Sequence, residues 1–318
     1  MSSLQVFAKV LATLRIVDYL LCVILGLAGG AIGKKVRPHC RPFSWNDPTL
    51  AYPFAGDGTF PSWSLVPIAI LPVVLYAAVE FARALRWRAG TTPSLDHPLG
   101  AEGGVVTVDV MNSGGTTVRW LRAGGFNGDD LSATEGGRGG RDVVAAARWP
   151  LFWETFNHWV LAQAFAVCLC ICIVETTKVY SGRLRPDFLA RLKREGYSEQ
   201  SEGVDWCGAA REGRVSFPSG HSGIAFASIV TLVLYSLGQL QAFRHASLWR
   251  SLLGLLLLVF PFAVALSRTR DNRHHFSDIL AGSVIGTCCA LLSVTLLFRL
   301  SERTGVFLPR RLEYASKR

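Results

Sequence analysis

The 318-residue chain is half hydrophobic, only 18% charged and positive in mean hydropathy. Soluble domains carry about a quarter charged residues, so this composition excludes an ordinary water-soluble fold. The net charge of +10 reads as membrane-surface charge plus a basic site; no nucleic-acid reader motif accompanies it, and no nucleic-acid partner is expected.

Apolar runs of about 17–25 residues mark helices that cross the hydrocarbon core. Six are expected, at about Val10–Ile32, Ser62–Val79, Phe156–Val174, Gly223–Phe243, Ser251–Ser267 and Ile279–Phe298. The expected fold is all-α, a six-span transmembrane helical bundle forming one integral membrane domain over residues 1–318, with its chemistry at one membrane face. Arg15 and Asp18 interrupt the first run, but residues three apart on a helix can pair and soften the burial cost. That run lacks a compact cleavage region and five more follow, so it does not read as a signal peptide. Between the second and third spans, Ala89–Arg148 is polar and punctuated by glycine pairs. It reads as a flexible insertion, with weak alternation over Val105–Val110 that would suit a short strand.

Six of the eight cysteines (Cys22, Cys168, Cys170, Cys172, Cys288 and Cys289) fall within expected spans and read as small packing residues rather than metal ligands. Cys40 and Cys207 fall in loops on one side; a disulfide between them needs an oxidising compartment, and spacing leaves the pairing open. Six spans put both termini on one face. Once Lys178, Arg185 and Arg268 are set aside as site residues, Lys and Arg favour that face, which points to cytoplasmic termini and a site on the luminal or extracellular side.

Three segments at span ends on that second face carry the chemistry. They are Lys178 to Arg185-Pro186, Phe217-Pro218-Ser219-Gly220-His221, and Ser267-Arg268 to His274 and Asp278. Lys178, Arg185 and Arg268 supply cations, two of them guanidiniums suited to phosphate oxygens. Ser219-Gly220 opens a helix, whose N–H groups and dipole favour an anion, and Gly220 offers no side chain to obstruct it. His274 and Asp278 are four positions apart, so one helical turn would bring the carboxylate to the imidazole and leave the other ring nitrogen as a nucleophile. His221 would protonate the leaving oxygen. Ser219 lacks a nucleophile-elbow context and reads as a phosphate hydrogen-bond donor. His39, His97, His158 and His245 read as packing or interfacial residues; His275 lacks the four-residue relation to Asp278, and Arg183 and Arg270 suit headgroup or structural contacts equally well.

These segments resemble the signature of the type-2 phosphatidic acid phosphatase superfamily: Lys, six residues, Arg-Pro; Pro-Ser-Gly-His; Ser-Arg, five residues, His, three residues, Asp. Every fixed position is matched. The flanking Gly182–Ala190, Asp271–Ile279 and the first-loop segment Arg41–Phe54 resemble the lipid phosphate phosphatase branch. The resemblance implies metal-independent hydrolysis of a lipid phosphate, such as phosphatidate or diacylglycerol pyrophosphate, with no cofactor. It implies a phosphohistidine on His274, with Asp278 orienting it and His221 as acid and then base. Lys178, Arg185, Ser219, Gly220 and Arg268 would hold the phosphate. A membrane phosphotransferase of the sphingolipid synthase type is the nearest alternative, and an anion or lipid transporter the non-enzymatic one.

Overall fold

The structure, a computed structural model, describes residues 15–56, 58–86, 110–111, 117–118, 139–245, 247–300 and 305–310. Among the described residues, six helices are long and apolar enough to cross a membrane: Ile16–Lys35, Ser62–Leu85, Phe152–Ser181, Gly220–Gln239, Leu248–Arg270 and Phe276–Leu297. The described residues are all-α apart from two short antiparallel ladders, Val110–Met111 with Thr117–Val118 and Phe298–Leu300 with Phe307–Pro309. It is an integral, multi-pass membrane protein. Residues 10–14 of the expected first span lie outside the described residues, as does most of the glycine-rich segment. Its last ten residues, 139–148, are helical and run into the third span.

The observed spans are longer at their polar ends than the hydropathy runs. The third reaches Ser181, so Lys178 sits in its last turn, where a cation complements the helix dipole. The fourth starts at Gly220, which puts His221 in its first turn. A run of apolar residues locates the hydrocarbon-facing part of a helix; it stops short of turns that carry charge. Arg15 and Asp18 pair at 2.7 Å as expected.

The described residues form two compact units. One comprises the chain up to Pro72, Gln163–Leu232 and Leu257–Ser293; the other comprises Val73–Ala162, Val233–Leu256 and Val294 onward. In the first, small residues let helices approach closely. A Cβ on Gly29 of the first span would lie 2.7 Å from the Cys172 Cα of the third. Gly223 and Gly286 do the same for the fourth and sixth spans, where a Cβ on Gly286 would strike the Gly223 carbonyl. Cys170 is fully buried at this packing, in keeping with its reading as a small apolar residue.

Outside the spans, the first unit has its own small core. Leu50, Leu184, Phe188, Leu189, Leu192, Ala209 and Ala210 are buried, with Phe43, Trp45, Tyr197 and Trp206 against them. Phe43 meets Phe188 edge-on at 5.0 Å and Trp206 at 5.7 Å. Beneath the rings lies Arg214, fully buried, which donates to the carbonyls of Arg41, Ala209 and Trp206 and stacks on Phe188 at 4.8 Å. A buried guanidinium is tolerable only when its donors are met, and here they tie the first loop to the segment 206–214. Cys40 and Cys207 are joined as a disulfide across the same two loops. Leu184 belongs to this core, and the next residue, Arg185, donates its backbone N–H to Gly213 at 2.8 Å. The extramembrane core therefore fixes the backbone of one site cation.

The second unit buries Glu80 within a polar cluster. Glu80 Oε1 accepts from Tyr235 at 2.9 Å, Arg83 at 3.1 Å and Gln239 at 3.2 Å. Trp159 stacks on Phe298 at 4.2 Å beside Tyr235, and its neighbour His158 has its Nδ1 2.8 Å from the Glu154 carbonyl, in keeping with a packing role.

Candidate active site

All eight expected site residues lie in the first unit, and backbone and side-chain bonds stitch their three segments together. Ser181 Oγ donates to the Phe217 carbonyl at 2.8 Å, and the Ser216 N–H donates to the Arg183 carbonyl at 2.9 Å. The Ser219 N–H donates to the Asp278 carbonyl at 2.9 Å. A Cβ on Gly282 would collide with the Ser219 carbonyl, so the sixth span must carry glycine there to approach the start of the fourth.

Gly220 is the first residue of the fourth span, and a Cβ added to it would lie 2.9 Å from Lys178 Nζ. The ammonium thus occupies the space beside the helix N-terminus that any other residue would fill. Ser219 is fully buried; its Oγ accepts from the Ser222 hydroxyl at 3.1 Å and its N–H at 3.4 Å, which leaves the Ser219 proton to donate. Arg185 is buried, and its Nε has no partner among the described residues. Burial, reinforced by the nearby Arg191, pulls that guanidinium down to about 10, so it stays charged at neutral pH.

The other two cations are engaged by acids that sequence reasoning did not single out. Lys178 Nζ donates to Glu175 Oε1 at 2.5 Å. Arg268 donates to Asp271 Oδ2 and the Phe60 carbonyl, each at 2.7 Å, and to Ser267 Oγ at 3.1 Å. Asp271 also accepts from the Thr59 N–H and hydroxyl, so it anchors the end of the first loop to Arg268. Glu175 was legible as the acid three residues before Lys178; Asp271 stands three after Arg268, but only the fold brings Thr59 to it.

The histidines differ in their environment. His221 lies in the first turn of the fourth span, its ring near the Pro61 backbone. Its Nε2 is buried with no partner among the described residues. His274 lies in the turn between the fifth and sixth spans, and its Nδ1 is 2.7 Å from the Ser216 carbonyl oxygen. A carbonyl can only accept, so Nδ1 carries the proton and Nε2 keeps its lone pair. Asp278 Oδ2 is 3.8 Å from Nδ1, beyond hydrogen-bond reach. The carboxylate and the imidazole are thus at ion-pair distance without a direct hydrogen bond, because other donors take the carboxylate oxygens. Oδ2 accepts from Ser216 Oγ at 2.5 Å and from the His275 N–H at 2.9 Å, and Oδ1 accepts from Arg183 at 2.7 Å. The bond to His275 is half of a capping box, with Asp278 as the third residue of the sixth span reaching back to the residue before it. His275 has its own Nε2 3.2 Å from the Leu184 carbonyl, a structural contact. Burial drags His274 down to about 4, opposed in part by Asp278 and assisted by Arg185 and Lys178, so the ring is neutral at physiological pH.

Residues 159–302 match the PAP2 superfamily model. Among relatives, a PA-phosphatase related-family protein of Dictyostelium discoideum is 38% identical over 133 residues, 41% of this chain and 45% of the relative. Lipid phosphate phosphatase 1 of Arabidopsis thaliana is 36% identical over 143 residues, 42% and 43% of the two chains. A probable diacylglycerol pyrophosphate phosphatase 1 of Schizosaccharomyces pombe is 32% identical over 157 residues, 46% and 55%. The aligned stretch spans about half the length of these relatives. No solved structure matches the chain significantly. The three signature segments, assembled in one unit, all lie inside residues 159–302, the stretch that is similar to the PAP2 superfamily.

Proposed function

We propose that this protein is a metal-independent lipid phosphate phosphatase that hydrolyses phosphatidate, and related lipid phosphates such as diacylglycerol pyrophosphate, through a phosphohistidine. The observation that carries the reading is the pair of buried, unpartnered nitrogens, Arg185 Nε and His221 Nε2, in a site that also holds a neutral imidazole with a free lone pair. Buried polar atoms are almost always hydrogen-bonded, and a phosphate ester would meet both.

Lys178, Arg185, Arg268, the Ser219 hydroxyl and the N–H groups at Gly220 hold the phosphate oxygens and neutralise charge as it develops. His274 Nε2 attacks phosphorus while the bond to the lipid oxygen breaks. Its electron pair stays on that oxygen, which takes a proton from His221. His221, now neutral, removes a proton from water, whose oxygen attacks phosphorus; the P–N bond breaks and its pair returns to the ring. Diacylglycerol leaves after the first step and inorganic phosphate after the second.

The test is phosphate release from phosphatidate in mixed micelles with chelator present, comparing wild type with His274→Ala. Release that survives chelation and is abolished in the variant is expected. A fully active variant, or no release from wild type, would overturn the reading; the latter would turn attention to a donor–acceptor phosphotransferase.

The site is further assigned to the luminal or extracellular face, with cytoplasmic termini. Cys207 lies in the loop whose two ends carry Lys178 and Ser219, and its disulfide with Cys40 requires an oxidising compartment. Glu199→Asn, at an exposed position two residues before Ser201, would create a glycosylation acceptor in that loop. Glycan addition during membrane insertion is expected, and its absence, with glycosylation of a control site near a terminus instead, would reverse the topology.

A further inference from the structure

Resting on the phosphohistidine reading, we propose that Arg183 and Ser216 are positioning residues for His274, Arg183 by holding Asp278 and Ser216 by linking Asp278 to the ring. The side chain of Asp278 is fully buried and accepts three hydrogen bonds, none from the imidazole. The atom that holds His274 Nδ1 is the Ser216 carbonyl. Ser216 is itself pinned on both sides: its N–H donates to the Arg183 carbonyl, and its hydroxyl donates to Asp278. The constraint thus runs from Arg183 to Asp278, from Asp278 to Ser216, and from Ser216 to the ring.

Arg183 is placed to hold this chain. Its NH1 donates to both Asp278 Oδ1 and Ser277 Oγ, each at 2.7 Å, which uses both hydrogens of that nitrogen. A buried carboxylate also needs a charged partner to remain ionised at low cost, and among the described residues Arg183 is the one cation within ion-pair distance of Asp278, His274 apart. With Arg183 gone, Asp278 loses its charge partner, and the hydroxyl that fixes Ser216 loses a firmly placed acceptor. The ring would then sample orientations in which Nε2 points off the line of attack. Such a loss falls on the chemical step and not on phosphate binding.

The experiment measures kcat and KM for phosphatidate hydrolysis in wild type, Arg183→Ala, Arg183→Lys, Ser216→Ala, Asp278→Asn and the doubles of Asp278→Asn with Arg183→Ala and with Ser216→Ala. Size-exclusion behaviour and Tm in detergent report folding. Losing a partner behind a working histidine typically costs about 10–100-fold. Arg183→Ala is expected to lose that factor in kcat with KM within about threefold, and Arg183→Lys to recover most of it. Ser216→Ala keeps the carbonyl and is expected to lose about tenfold. Because both residues act through Asp278, each double should sit within about twofold of Asp278→Asn alone. Arg183→Ala within twofold of wild type, a loss confined to KM, or fully multiplicative doubles would overturn the proposal. If Arg183→Ala does not fold, the Ser216→Ala doubles carry the same test. Wild type that releases no phosphate, or an active His274→Ala, would overturn the reading of the site itself and this inference with it.

Discussion

His274 should resist protonation far into the acid range. Burial holds its imidazole at about 4 against an ordinary value of 6.5, with Asp278 opposing and Arg185 and Lys178 assisting. At pH 5 an ordinary imidazole would be only about 3% neutral, whereas His274 would be about 90% neutral, a difference of about 30-fold in the neutral ring that the proposed mechanism needs. The same shift ties stability to pH. Because the folded value lies below the unfolded one, the unfolded chain binds the extra proton between pH 6.5 and 4. Stability from this group is therefore complete above that window and is lost as pH falls through it, by about 2 kcal/mol between pH 8 and pH 5. The direct assay is a ring-carbon NMR titration of histidine-labelled protein in detergent without substrate, since the phosphate ester itself titrates near pH 6. The resonance missing from His274→Ala identifies the group. A midpoint near 4 is expected, and Arg185→Gln should raise it by removing a nearby positive charge. A midpoint at or above 6, or no response to Arg185→Gln, would refute the argument that burial and resident cations keep the His274 ring neutral.

Reduction of the Cys40–Cys207 bridge, or Cys40→Ser, should lower stability by about 2–5 kcal/mol, read as a drop in Tm that reductant produces in wild type but not in the variant. An equal Tm with and without reductant would show that the bridge does not constrain the unfolded chain. Gly220→Ala puts a methyl group 2.9 Å from Lys178 Nζ; the flexible ammonium can move, so the protein should fold with little change in Tm while phosphate release falls by at least about tenfold. Unchanged release would show that Lys178 does not work from beside the helix N-terminus.

Spans and motif residues were legible because each signal is local. An apolar run records burial in lipid residue by residue, and Lys178, Ser219 and His274 sit at fixed spacings from their neighbours. The wiring between segments was not legible in this way. That His274 would be held by a main-chain carbonyl 58 residues away leaves no trace in side-chain identity, since every residue at position 216 supplies a carbonyl. The four-residue spacing of His274 and Asp278 suggested direct contact, but His274 lies before the sixth span begins, so helical spacing does not govern where its ring points. Arg183 was visible only as an extra cation inside a motif, and its partner is 95 residues away.

Two of the three expected phosphate cations already have carboxylate partners, which at first sight competes with substrate. Counting donors removes the conflict. An ammonium has three N–H groups, and Lys178 gives one to Glu175. A guanidinium has five, and Arg268 gives three, to Asp271, the Phe60 carbonyl and Ser267. Two donors therefore remain on each, and phosphate can bind without breaking a resident bond. The acids keep long, flexible side chains in place before the anion arrives, so little ordering is left to be done at the moment of binding. They also offset part of the charge of a site that, in the proposed reaction, must let phosphate go after hydrolysis. Arg185, with no carboxylate within ion-pair distance among the described residues and with a buried, unpartnered Nε, is held instead by its backbone and the extramembrane core. It is the cation whose buried donor phosphate binding would satisfy outright.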